Sequence, residues 1–189
     1  MRSATDLEAR RYCSQEEGTR RIAKDGSVYF ESPEEHCFFI KAPWEYRRLA
    51  YLCQHLIGSI CGGNYAGGLV WLHMWDVGAE YLRPLGWKII ENQRRANGDT
   101  RSLDLAPAQF FGEDESLDLQ VFLMTVLGNG WSGCFVPDGA NFVVEFRSSH
   151  RLFFYCESEA ALNRLKLELE VFEPQPDAGA ELAGEQRGV

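Results

Sequence analysis

A chain of 189 residues with 45% hydrophobic and 13% aromatic content can bury one sizeable core, and it is too short for two comfortable ones. The formal net charge of −9 argues against nucleic acid as the main partner, because binding to phosphate backbones depends on dense Lys and Arg side chains. A basic protein is the more natural electrostatic complement, although acidity also serves simply to keep a protein soluble.

The six cysteines favour a reducing compartment. They form no CxxC pair and mostly lie within apolar runs, as buried thiols do. No signal peptide is recognisable at residues 1–6, and every apolar stretch falls short of a membrane span. We therefore expect a cytoplasmic protein that does not bind membranes. The cysteines are Cys13, Cys37, Cys53, Cys61, Cys134 and Cys156.

Three segments are predicted: a flexible N-terminal arm over residues 1–24, a single globular domain over 25–173 and a disordered tail over 174–189. The arm is polar, carries charges of both signs and shows no sustained apolar period, so it would form at most a short helix. The tail is rich in Gly, Ala and Glu, a composition that cannot build a core.

The domain begins with two β-prone runs, residues 27–31 and 36–41, which flank a turn that contains Pro33 and predict a hairpin. Pro43 suits the first residue of a helix because its missing N–H costs nothing there. Apolar residues at spacings of three and four then predict a helix to Ile60. Its predicted buried stripe is Tyr46, Leu49, Leu52, Cys53, Leu56, Ile57 and Ile60.

Residues 68–75 predict the central strand of the sheet. Neither face of this run is polar, which is typical of a strand that is covered on both sides. One face would carry Leu69, Trp71, His73 and Trp75, and the other Val70, Leu72 and Met74. We expect Trp71 and Trp75 to be buried around His73, with helices on both sides. The strand, helix, strand order predicts a right-handed crossover and a parallel pair.

A second helix is predicted to end near Asn97, and Pro84 leaves its start open. It begins either near Arg83 with Pro84 in its first turn or near Ala79 with a kink. An ordered loop over residues 99–112 follows, with two phenylalanines turned inward.

Acidic residues then open a third helix over residues 113–128. This helix has almost no polar face and should be deeply buried, although alternation between Leu117 and Val121 also allows a strand.

The C-terminal part predicts an antiparallel meander and a last helix. Runs near 134–136, 142–147 and 152–156 are separated by turns, and the middle run should have one face in water. Ser158 is the expected cap of the last helix. The predicted fold class is therefore α+β (or α/β-like), with a single mixed sheet of about five to six strands and about four helices.

A small set of residues could carry chemistry. His73 and Asp76 end the central strand, where open α/β sheets place ligands, and Cys61 in a glycine loop could act as a nucleophile. The more ordinary interpretation is a core histidine and a helix-capping acid. Cys61 would follow a helix C-terminus, which opposes thiolate formation.

Arg94, Arg95 and Arg101 form a basic cluster that could bind a carboxylate or phosphate, or could simply be solvated arginines at a helix end. The four histidines are isolated, so we predict no metal site. The glycine pairs do not match a nucleotide-binding loop, so we predict no cofactor.

Because no catalytic constellation emerges, we predict a non-enzymatic protein-interaction module, such as an inhibitor, an immunity-type protein or an adaptor. Its partner would be another protein, or a second copy that makes a homo-oligomer. The alternative is a small hydrolase or transferase whose site combines His73, Asp76 and Cys61.

Overall fold

The computed structural model describes residues 1–15, 20–30, 35–58, 67–75 and 83–175. These residues form five α-helices, a seven-stranded sheet and a two-stranded sheet, which confirms the α+β class. The strands are β1 (Arg2–Ala4), β2 (Arg20–Ile22), β3 (Val28–Phe30), β4 (Cys37–Lys41), β5 (Gly67–Met74), β6 (Ala108–Gly112), β7 (Ser132–Pro137), β8 (Phe142–Arg147) and β9 (Arg151–Cys156). The helices are α1 (Asp6–Gln15), α2 (Tyr46–Ile57), α3 (Arg83–Ala96), α4 (Ser116–Gly128) and α5 (Glu159–Glu168).

The large sheet has the strand order β1-β6-β5-β7-β8-β9-β4, so the predicted central strand β5 lies inside the sheet, next to the middle strand. Every pair of neighbouring strands in the seven-stranded sheet is antiparallel. The predicted mixed sheet is therefore wrong. Strands β4 and β5 do point the same way, but three strands separate them, because the meander β7-β8-β9 is inserted between them.

Several short elements were missed or misassigned by sequence. The predicted loop over 99–112 contains β6, which pairs with both β5 and β1. The predicted hairpin is wrong, since β3 pairs with β2 whereas β4 pairs with β9. The predicted flexible arm instead holds an edge strand and a helix, and its residues Ala4, Ala9 and Cys13 are fully buried. The strands in these segments have only three to five residues each, which is too short to show a clear period.

The two faces of the large sheet are covered differently. Helices α2, α3, α4 and α5 pack on one face and form the larger core cluster. Helix α1 and the β2-β3 hairpin cover the other face, so the predicted wet face of β8 is wrong. Its Glu145 is only 6% exposed and accepts hydrogen bonds from Arg147 Nε at 2.8 Å and from the Tyr155 hydroxyl at 3.0 Å.

The helix boundaries follow local chemistry. Helix α2 begins at Tyr46, after Pro43, and Tyr46 itself is exposed. Helix α3 is described over Arg83–Ala96, and residues 79–82, which would decide between the two predicted starts around Pro84, lie outside the described residues. The Ser158 hydroxyl accepts a hydrogen bond from the Ala161 amide at 3.3 Å and caps α5. None of the helices in the described ranges is long and apolar enough to cross a membrane.

Candidate functional site

His73 lies near the end of β5, where the register with β7 shifts between Leu72 and Met74. Its ring packs edge-on against Trp71, with the ring centroids 4.8 Å apart, on the α1 side of the sheet. Trp75 instead packs into the helical core, because the register shift places it on the opposite face. The expectation that both tryptophans flank His73 is therefore met only by Trp71.

One ring nitrogen of His73 is shielded from water without a compensating hydrogen bond. The Nε2 atom is buried and has no hydrogen-bond partner among the described residues, whereas the side chain as a whole is only partly buried. Gly26 packs against it so closely that a Cβ there would lie 2.9 Å from Nε2. Burial lowers the pKa of His73 to about 4, although the nearby carboxylates of Asp25 and Asp6 act to raise it. A base of this pKa is weak near neutral pH.

Of the three residues of the hypothetical hydrolase or transferase site, only His73 lies within the described residues. Asp76 and Cys61 lie outside the described residues, so their distance from His73 stays a prediction. The five cysteines that are described are buried free thiols. Burial raises the pKa of Cys37, Cys53 and Cys156 to about 12, which makes them unreactive at neutral pH.

The three arginines of the basic cluster line one small cavity of about 70 Å³, together with Asp99 and Glu91. They differ sharply in environment. Arg94 is only 1% exposed, so the interpretation of it as a solvated arginine is wrong. Its Nη2 donates to the Ala106 carbonyl at 2.6 Å and its Nε donates to Gln109 Oε1 at 3.1 Å.

The other two arginines are exposed and pair with acids. Arg101 donates to Asp99 at 2.6 Å, and Arg95 lies 3.7 Å from Glu91. An anion in this cavity would therefore compete with two carboxylates that are already in place. Anion binding by Arg94, Arg95 and Arg101 stays a prediction.

Helix α4 offers a different kind of site, because it has almost no polar face and yet is only partly covered. Leu119, Phe122 and Val126 on its inner side are fully buried, as the sequence predicts. On its outer side, Leu117 is 76% exposed and Val121 is 47% exposed. The expectation that this helix is deeply buried therefore holds for one side only, and its other apolar side is uncovered.

The exposed side of α4 forms the floor of a groove of about 310 Å³. We refer to it as the α4 groove, and its lining is predominantly apolar. The lining residues are Tyr46, Leu85, Gly86, Ile89, Val121, Met124, Thr125, Gly128 and Asn129. Leu117, one helical turn before Val121, extends the apolar surface.

Helix α3 forms one wall of the α4 groove and runs antiparallel to α4. Gln93 near its end donates to the Asp118 carbonyl at 2.6 Å, while Gly86 near its start lies beside Asn129. A Cβ on Gly86 would lie 2.8 Å from the Asn129 amide, so glycine permits this close approach. Leu85 and Ile89 of α3 are consequently left facing outward, with exposures of 63% and 36%.

Two acids without a partner in the described residues precede α4 in the chain. Glu113 and Asp114 are exposed in the 3-10 turn that precedes α4, and neither makes a hydrogen bond or ion pair with the described part of the chain. The next acid, Glu115, is engaged, because it pairs with the amino group of Met1 and accepts from the Gly112 amide. The sequence favours acids here for helix initiation, and these two precede the exposed Leu117 by only four and three residues.

Over the described ranges, no group of three or more His, Cys, Asp or Glu side chains could hold a metal ion. Comparison of the chain with protein-family models, with curated proteins and with solved structures found no match.

Proposed function

We propose that this chain is a non-enzymatic protein-interaction module of the cytoplasm, and that the α4 groove is its docking surface for a basic partner protein. The observation that carries this proposal is the uncovered apolar side of α4, where Leu117 and Val121 are exposed. A helix that is only meant to cover the sheet can have polar residues on its outer side, whereas α4 exposes Leu117 and Val121 there. Leu85, Ile89 and Tyr46 enlarge this surface.

The dimensions and charge of the groove favour a protein over a small molecule or a second copy. A volume of about 310 Å³ lies at the lower end of the range for small-molecule sites, and several of the lining side chains remain largely exposed, so a free ligand would be poorly enclosed. The net charge of −9 and the free carboxylates of Glu113 and Asp114 disfavour contact between two copies and favour a basic partner.

Replacement of Val121 with Lys is expected to weaken partner binding by at least about tenfold, because it places a cation in the apolar floor of the groove and repels a basic partner. The partner is first captured by a photoreactive phenylalanine analogue at Tyr46, which lines the groove. The captured protein is identified by mass spectrometry, purified and titrated against wild-type protein and the Val121→Lys variant by calorimetry.

Leu7→Lys is the matched control. Leu7 is a 56% exposed aliphatic residue on α1, which lies across the sheet from the groove. This variant should bind the partner as the wild type does, and circular dichroism should show both variants folded. Equal affinity of the Val121→Lys variant and the wild type, or equal crosslinking from positions 46 and 7, would rule out the α4 groove as the docking surface.

A further inference from the structure

We infer that the occupant of the α4 groove is an amphipathic helix of the partner, with a Lys or Arg at the end that reaches Glu113 and Asp114. This inference rests on the proposed function. The groove is walled by α3 and α4 and by Tyr46 at the start of α2, and backbone groups within helices are already hydrogen-bonded. It therefore offers no free strand edge to which an extended peptide could add.

An occupant that gains no backbone hydrogen bonds from the groove must pair its own backbone N–H and C=O groups internally. A helix does so internally, whereas an extended segment would lose hydrogen bonds to water without replacing them. Apolar side chains at spacings of three and four would then be the only part of the occupant that needs to enter the groove. The floor of the groove accepts such side chains because Val121 and Met124, which line it, are apolar.

The length of the exposed surface sets the length of the occupant. From Leu117 to Gly128, α4 rises by about 17 Å, which corresponds to roughly three helical turns. An occupant of this length would present apolar residues at positions i, i+4 and i+7, with one more at i+3 or i+8. A shorter segment would leave Leu117 or Leu85 uncovered at one end.

The carboxylates of Glu113 and Asp114 determine which end of the occupant carries the Lys or Arg. Glu113 and Asp114 precede Leu117 by four and three residues, so we place the cationic end of the occupant at the Leu117 end of the groove. Both are exposed and unengaged within the described ranges, so each can pair with a cation without first breaking another contact. Such rim pairs contribute little affinity each, but they raise the association rate and select the partner by charge.

The inference is tested with a hydrocarbon-stapled peptide of about four helical turns that carries leucines at the required spacing and two lysines at one end. Its binding to the full chain is followed by fluorescence polarisation. A peptide of the same composition with a scrambled order, and therefore no apolar face, is the control. We expect the ordered peptide to bind at least about tenfold more tightly than the scrambled one, and Val121→Lys to abolish the difference.

The charge assignment is tested separately with the double variant Glu113→Lys and Asp114→Lys. It should weaken binding of the lysine-ended peptide by about fivefold and strengthen a glutamate-ended peptide by a similar factor, with the difference shrinking as salt is added. If the affinities of both peptides change equally in this variant, the charged end of the peptide does not pair with Glu113 and Asp114.

The outcomes separate the inference from the proposed function. If the crosslinker at Tyr46 captures a partner but the ordered and scrambled peptides bind alike, the groove is a docking surface and its occupant is not a helix. If the crosslinked segment of the partner, mapped by mass spectrometry, is a strand or a loop, the inference also fails. If neither peptide nor partner depends on Val121, the proposed function fails with it.

Discussion

Replacement of Arg94 with Ala is expected to lower the free energy of unfolding by about 3 kcal/mol or more, since hydrogen bonds from a charged group contribute about 1.5–3 kcal/mol each. Burial lowers the pKa of this guanidinium to about 10, so it stays charged at neutral pH although it is 1% exposed. Its bonds to the Ala106 carbonyl and to Gln109 tie α3 to the strand β6 and the segment before it. Truncation would leave the carbonyl unpaired and open a cavity.

Arg95→Ala is the control, because Arg95 is the next residue of the same helix and its side chain is 65% exposed. Its ion pair with Glu91 spans 3.7 Å at the surface, and its loss should change stability by less than about 1 kcal/mol. Both variants are compared with the wild type by urea denaturation. A similar small effect of the two substitutions would show that the Arg94 contacts contribute little to the folded state.

The contrast between these adjacent arginines shows what sequence could not provide. In sequence, Arg94 and Arg95 are two like cations near the end of a helix, and both suit the negative end of the helix dipole. Only the tertiary position of β6 and β1 decides that Arg94 points inward, where Gln109 also accepts from the Ser3 hydroxyl. The three cations of the predicted cluster therefore lie in different environments: Arg94 is buried, whereas Arg95 and Arg101 are exposed.

The elements that sequence predicts well are those with a strong period of their own. The buried stripe of α2, from Leu49 to Ile57, and the meander β7-β8-β9 are defined by local spacing and turn residues, so they could be read before the fold was known. Strands β1, β2 and β6 have three to five residues each and are held in place by partners distant in the chain. Their pairing depends on tertiary contacts that leave no local pattern.

The α4 groove was missed for a related reason. An apolar helix predicts burial, but a sequence does not say how many neighbours are present to bury it. Helices α2 and α3 cover the flanks of α4 and leave Leu117 and Val121 uncovered. Under the function proposed above, the low polarity of residues 117–127 reflects two contacts, one with the core of the chain and one with the partner.

Acidification from about pH 6.5 to about pH 4 is expected to cost about 3 kcal/mol of stability through His73 alone, at about 1.4 kcal/mol per pKa unit. Burial lowers the folded pKa from 6.5 to about 4, so over this interval the unfolded chain binds a proton that the native chain does not. Stability is therefore complete above pH 6.5 and falls as the pH is lowered through this window. Asp25 and Asp6 would partly stabilise the imidazolium, whereas Arg10 opposes it.

His73→Leu should remove this pH dependence, because leucine has no proton to bind and its side chain suits the contact with Trp71 and Gly26. Urea denaturation at several pH values between about 7 and 4 measures the slope for each protein. Burial also lowers the pKa of His150, which contributes in the same direction, so His150→Leu serves as the second variant. If His73→Leu retains the slope of the wild type while His150→Leu loses it, the turn between β8 and β9, and not the contact between β5 and the β2-β3 turn, is the acid-sensitive part of this fold.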